Sequence, residues 1–359
     1  MTLISTPMYG ENDVLSMIVG TYNRPGSDGL FSFAFNQNTG EFEALDSLSI
    51  DNPSYLTFNK EGNIIYAVSE MNVDNSGISA IVFDKQTGKM NVLNSKPLNG
   101  SPCYVSTNGK IALTANYGGG NVDALVINNN GELESATEVF QGSIGGPDST
   151  RQNLPHVHSV VFSPDGRRAY ATDFSSDRII YLDVFADAPF VGKSVDNEGN
   201  IRYVKVTSDS GPRHLIFDKT GKYAYLISEL SGNITTFQVN DNDLEIIQEI
   251  NCDPVYERAS ADIHISPDGK FLYASNRRKN DGIAIFDIDA TNGKLQPVDY
   301  QLTGAHPRHF NITPNGKFIL VACRDNDSVE VYERDSQTGK MDLKSRIPIY
   351  RPVCVQFAP

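Results

Sequence analysis

Histidine is rationed in this 359-residue chain. All six histidines fall in four short stretches: "LPHVHSVVF" (154–162), "GPRHLIF" (211–217), "ADIHISP" (261–267) and "HPRHF" (306–310). An imidazole, with an ordinary pKa of about 6.5, takes up and releases a proton near neutrality. The neighbouring arginines carry planar guanidinium forks, which suit phosphate or carboxylate. Carboxylates recur as well, at Glu70, Asp173, Glu229 and Asp262. Together these groups could perform acid–base chemistry on an anionic molecule, provided that the fold brings them together.

The repeat around these stretches says how it would. Proline or its counterpart opens an apolar run at Pro53, Pro102, Pro155, Pro212, Ser260, Pro307 and Pro352, at intervals of 45 to 57 residues. Such self-similarity marks a repeat architecture. Each run ends in a turn such as "SPDGR" or "DKTGK", and a second strand follows ("RAYATDF", "YAYLISE", "FLYASNR"). A third strand and an outer turn come next, for which the seven candidates are "NQNTGEF", "DKQTGKM", "NNNGEL", "DNEGNI", "NDNDLEI", "ATNGKL" and "DSQTGKM". Alternating runs joined by Asn/Asp-Gly turns read as antiparallel hairpins. Four strands per repeat, arranged radially, predict an all-β, seven-bladed β-propeller. The C-terminal "VCVQFAP" matches a first strand and "SMIVGTYN" a second, so the C-terminal strand should join residues 14–50 and close the ring. One domain over 1–359 is expected, with residues 1–12 as an N-terminal arm.

In such a fold, strand-one starts and strand-two ends share one mouth of the channel. His156, His158, Arg213, His214, Asp262, His264, Arg308, His309 and Arg351 occupy the first kind of position. Glu70, Asn116, Tyr117, Asp173, Glu229, Asn276, Arg277 and Arg324 occupy the second. Of 15 arginines, seven (Arg24, Arg213, Arg277, Arg278, Arg308, Arg324 and Arg351) lie at these ends in a chain of net charge −14. A basic mouth on an acidic body predicts an anionic small-molecule ligand. The same acidity argues against nucleic acid or an anionic membrane surface as partner.

Other chemistries fit the sequence less well. "YGGGN" (117–121) does not open a helix as a dinucleotide loop would, and "GKS" (192–194) lacks the glycine of a P-loop. Glu70, Asn116, Asp173 and Glu229 could ligate a central calcium, but the surrounding arginines and histidines would repel it; no metal and no cofactor are expected. Cys103, Cys252, Cys323 and Cys354 have no zinc-like spacing and read as buried thiols of a reducing compartment. The N-terminus lacks the pattern of a secretory signal. A cytoplasmic protein is predicted, a monomer or weak homodimer.

At "IVGTYN", "NPSYL", "ANYGGGNV", "PHVHSVVFSPDG", "GPRHLIFDKTGKYAYLISEL", "DIHISPDGKFLYASNR" and "HPRHFNITPNGKF" the chain resembles the propeller-type 6-phosphogluconolactonase family, which includes the fungal carboxy-muconate lactonizing enzymes. These pieces come from every blade, and the resemblance covers essentially residues 15–359. The resemblance implies lactone chemistry at a metal-free channel mouth, with functional residues carried over as His158, Arg213, Glu229 and Arg277. "CRDND" (323–327) departs from the family pattern. The implied reaction is hydrolysis of 6-phosphoglucono-δ-lactone in the pentose phosphate pathway, by direct attack of water. In it His158 is the base, with Glu229 orienting it or itself the base, and Arg213 stabilises the oxyanion or ring oxygen. Arg277 and Arg308, with Arg278, would hold the phosphate, and Glu70, Asn116, Tyr117, Asp173, His214, His264 and His309 would line the pocket. The alternatives are a cycloisomerase acting on a carboxylated muconate and a non-catalytic ligand-binding propeller.

Overall fold

A computed structural model describes residues 13–72, 75–185 and 190–359; the arm predicted at 1–12 lies outside the described residues. Seven antiparallel sheets follow one another along the chain. In the blade that contains "GPRHLIF", β17 (Pro212–Phe217), β18 (Tyr223–Ser228), β19 (Asn233–Asn240) and β20 (Asp243–Asn251) pair in sequence order. β18 is buried on both faces because a blade packs against a neighbour on either side, whereas β20 is mostly exposed on the rim. This is why second strands read as nearly continuous apolar runs. The core is accordingly a set of inter-blade wedges. One joins Tyr225, Ile227 and Ile234 to Ile263, Leu272 and Phe286 of the next blade.

A tyrosine on the second strand repeatedly latches onto the outer turn of the following blade. Tyr66 donates to the carbonyl of Gly131 at 3.1 Å, Tyr225 to Gly293 at 2.9 Å and Tyr273 to Gly339 at 2.8 Å. Tyr170 donates to Asn242 at 2.7 Å. Here the glycine-free turn "NDND" keeps the geometry, because Asp241 and Asn242 both adopt positive φ, 48° and 66°. Asn and Asp tolerate that region better than other side chains.

Two further findings concern the repeat. The C-terminal β29 (Pro352–Phe357) pairs with β1 (Val14–Thr21), with Met17 opposite Phe357 and Val19 opposite Val355. The ring therefore closes through the chain ends as predicted, and at this seam Gly20 is required: a Cβ there would stand 2.2 Å from the Pro53 carbonyl oxygen. "DNEGNI" is not an outer hairpin turn. It lies in an excursion at residues 194–202 that splits one outer strand into β15 (Phe190–Lys193) and β16 (Tyr203–Lys205), both paired with β14 (Arg178–Phe185). The Asx-type bonds of Asp196, which look like a hairpin turn in sequence, close this small loop.

Candidate active site

The site is built by a defect in the sheets. On the first strand of six blades the register slips at the channel end: at Pro102/Tyr104, Val157/Val160, Pro212/His214, Ser260/Ile263 and Pro307/His309, and opposite Gly20/Thr21 at the closing blade. A bulge re-aims the residue it leaves unpaired. Pro102, Val157, Pro212 and Pro307 each face the last residue of their second strand, so Cys103, His158, Arg213 and Arg308 are equivalent bulge positions. The counterpart of Pro212 in the "LPHVH" blade is thus Val157 and not Pro155. His158 consequently matches Arg213, whereas the Pro155 frame would set it against Leu215.

The cavity at this mouth measures about 320 Å³ and is lined by Glu70, Cys103, Tyr117, Arg151, His158, Glu229, Arg277, Arg278, His306 and Arg308. Glu70, Tyr117, Glu229 and Arg277 each come directly after a second strand. Asn116 and Asp173 are the last residues of their second strands, one position earlier, and a shift of one residue reverses the face of a strand. Asn116 therefore turns into the blade, where its amide donates to Asp123 at 2.8 Å and Asn121 at 3.2 Å. Asp173 borders a different groove with Arg178 and Tyr203, and burial raises its pKa to about 6.

Glu229 is the electrostatic centre. Its Oε1 accepts from Arg151 Nη2 at 2.6 Å, while Oε2 lies 3.1 Å from Arg213 Nε and 3.0 Å from Arg277 Nη2. Burial alone would raise its pKa, but Arg277, Arg213 and Arg151 outweigh burial and hold the carboxyl well below the usual range. A carboxylate so held is a weak proton acceptor and a strong organiser. Arg213 is 1% exposed and stands behind Glu229; it also donates to the Ala261 carbonyl and to His214 Nε2, which leaves Nη2 as its uncommitted nitrogen among the described residues. Glu70 accepts from the Tyr22 hydroxyl at 2.7 Å and lies 3.4 Å from Arg308, whose guanidinium sits over the Tyr22 ring.

His158 faces none of these carboxylates. Its Nδ1 is 3.8 Å from the Cys103 sulfur. Burial first, then Arg213, His214, Arg308 and Arg277, push its pKa well below 6.5, so the ring is neutral at pH 7. His156 does not accompany it: the ring stacks on Tyr117, with centroids 4.1 Å apart and planes 6° from parallel, and its Nδ1 lies 2.7 Å from the Tyr117 carbonyl.

His306 stays at the cavity beside Asp325, whereas His214, His264 and His309 belong to a plug deeper in the channel. Asp262 lies 2.8 Å from His214 Nδ1, 3.0 Å from His264 Nε2 and 3.6 Å from His309 Nε2, and its Oδ2 also accepts from the Phe310 amide at 3.1 Å. Tyr55 and Tyr104 stack at 4.1 Å beside them. The ligand atoms of Asp262, His264 and His309 lie within 4.8 Å of one another, as a metal site requires. Their hydrogen bonding opposes a metal there. His309 Nδ1 accepts from the Val355 amide at 3.3 Å, which leaves the ring proton on Nε2, the atom a metal would need. Asp262 is already supplied with donors on both oxygens.

The seven-bladed chain has relatives among known proteins. The family model "Lactonase, 7-bladed beta-propeller" matches residues 16–357. The chain belongs to this family. Among curated relatives, the 6-phosphogluconolactonase of Formosa agariphila is 34% identical over 336 residues, covering 90% of this chain and 94% of that one. The 6-phosphogluconolactonase of Bacillus subtilis is 30% identical over 350 residues, 94% and 97% of the two chains. The solved periplasmic gluconolactonase of Pseudomonas aeruginosa superimposes with a TM-score of 0.88 at 27% identity, covering 96% of this chain and 99% of that one. In this lactonase-family propeller no helix among the described residues is long and apolar enough to cross a membrane.

Two lining residues escaped the sequence reading, Arg151 and Cys103. Cys103 reads as a core thiol until the bulge is seen. Arg151 lies in the 15-residue connection 142–156, which joins β11 (Thr137–Gln141) to β12 (Val157–Phe162) on the mouth side. The long interval between Pro102 and Pro155 was its only mark in the sequence.

Proposed function

We propose that this protein hydrolyses 6-phosphoglucono-δ-lactone to 6-phosphogluconate, with His158 as general base. The observation that carries this reading is the charge of the cavity: four lining arginines against two lining carboxylates, around the neutral imidazoles of His158 and His306. The surplus of two positive charges suits a phosphate monoester, which carries about −1.5 to −2 at pH 7. His158 accepts a proton from water as the water oxygen bonds to the lactone carbonyl carbon. The Nη2 hydrogens of Arg213 stabilise the resulting oxyanion. The ring C–O bond then breaks, its oxygen takes the proton back from His158, and the new carboxylic acid loses its own proton to solvent. Glu229 holds Arg151, Arg213 and Arg277 in register and stays ionised throughout. Arg308, Arg277 and Arg278 receive the phosphate. The four unpaired, buried cysteines support a reducing compartment, and hence the cytoplasm, as the place of action.

The test compares 6-phosphoglucono-δ-lactone with glucono-δ-lactone, spontaneous opening subtracted. Charge-assisted phosphate contacts of about 1.5–3 kcal/mol predict a kcat/KM ten- to a hundredfold higher for the phosphorylated lactone. Equal rates would remove phosphate from the reading. Turnover of a carboxylated muconate, with neither lactone opened, would replace hydrolysis by cycloisomerisation.

A further inference from the structure

The arginines of the site are unequally committed. Arg277 spends Nε on the Ala259 carbonyl and Nη2 on Ser260 and Glu229. Arg213 is occupied at Nε and Nη1. Arg151 bonds Glu229 through Nη2 and also hydrogen-bonds the Tyr117 side chain, and its own side chain is 31% exposed. Of the three arginines that hold Glu229 it is the most exposed, so its remaining donors open to the cavity. It is also carried by an inter-blade connection, whereas Arg213 and Arg308 lie on blade strands.

That connection is firmly tied. Gln152 donates to the Phe174 carbonyl and to Asp177, each at 2.9 Å, and Ser175 donates to the Leu154 carbonyl at 2.6 Å. Asp148 accepts from the backbone amides of Thr150 and Arg151, at 2.9 and 3.0 Å, and so fixes the turn that launches Arg151. The other oxygen of Asp148 is 2.7 Å from Arg258 Nη2. Arg258 in turn grips Asp209 with both terminal nitrogens, at 2.8 and 2.7 Å. One guanidinium thus joins three connections, those entering β12, β17 and β21 (Ser260–Ile265). Arg258 and Asp209 are each more than a third exposed. Such pairs add little to stability, so the use of this strut lies in what it positions.

We propose that Arg151 joins Arg308, Arg277 and Arg278 at the phosphate and is the residue by which the site distinguishes phosphorylated from plain sugar acids, and that Arg258, through Asp148, is its positioning residue. The inference rests on the lactonase reading for its ligand class. It requires only that the cavity bind a phosphorylated sugar acid in preference to the plain one, whether or not the lactone is opened.

The experiment is calorimetric binding of 6-phosphogluconate and of gluconate to the intact protein and its variants. Arg151→Ala and the better-tolerated Arg151→Gln should weaken 6-phosphogluconate binding at least tenfold and gluconate binding less than threefold. Arg258→Ala should shift the ratio of the two affinities the same way by about three- to tenfold, with melting within a few degrees of wild type. A loss common to both ligands after Arg258→Ala would mark a merely structural role and overturn the positioning claim. An unchanged ratio in both Arg151 variants, or a wild type that binds the two acids equally, would overturn the proposal. A wild type that prefers 6-phosphogluconate through Arg151 but opens neither lactone would uphold it while ending the hydrolase reading.

Discussion

His158 has the proton chemistry and Glu229 the charge. The sequence left the base open between the two, and their surroundings separate them. Three guanidiniums hold Glu229 ionised, whereas burial, with Arg213 and other nearby cations, keeps His158 in the neutral form that a base needs. His158→Ala should lower kcat at least ~100-fold, the low end for losing a general base. His156→Ala, which removes only a ring stacked on Tyr117, should cost far less. Retained turnover in His158→Ala, with loss in Glu229→Gln, would transfer the role to Glu229. A base with an ordinary imidazole pKa would make kcat/KM fall as pH drops through about 6.5. Burial and the arginines move that limb further into acid. Measured with glucono-δ-lactone, which has no titrating phosphate, kcat/KM should be flat through pH 6.5 and fall only below it. A midpoint at about 6.5 would mean that the arginine field is not felt by the ring.

Strands place these residues in two ways that alternation does not express. Bulges on the first strands turn Cys103, His158 and Arg308 to the cavity and set Arg213 behind Glu229. Exits from the second strands contribute Glu70, Tyr117, Glu229 and Arg277. The closing strand deserves the same attention as the site, since β29 covers the edge of β1 and packs Val355 with Met17, Val19 and Phe35. Deleting residues 351–359 would bare that edge and remove part of this wedge. Sharp loss of melting temperature, or aggregation, is expected. Unchanged melting of the truncated chain would show that the ring does not need this strand.

At the scale of the molecule, most of the histidines are held neutral. Burial is the largest cause for His156, His158, His214, His306 and His309, with His214 pushed down to about 3 and His309 to about 4. A histidine whose folded pKa is depressed binds its proton first in the unfolded chain. Its stabilising effect is complete above about pH 6.5 and is lost as pH falls toward the folded value. Asp262 and Glu229, also held low, add acid loss of the same sign below the ordinary carboxylate range. Melting temperature should therefore fall between pH 7 and pH 4, beginning above the range in which carboxylates titrate. A flat profile down to pH 5 would show that these rings are protonated in the fold or solvated within it.

The amino-acid sequence by itself determined the architecture. Turn glycines, alternating runs and the matching chain ends are local signals, and repetition multiplied them until seven blades and their closure were legible. The convergence of histidine, arginine and carboxylate on one mouth followed from the same period. Which of them share a cavity was decided by tertiary structure, because it turns on shifts of one or two residues. Asn116 and Tyr117 are chain neighbours on opposite sides of a blade. Val157, not Pro155, sets the frame of His158. Asp262 gathers His214, His264 and His309 into a plug below the site. Arg151 reaches Glu229 across 78 residues of sequence, from a connection that belongs to no repeat. Periodicity constrains what recurs, and a bulge, a strand exit or a single long loop is by nature a departure from the period.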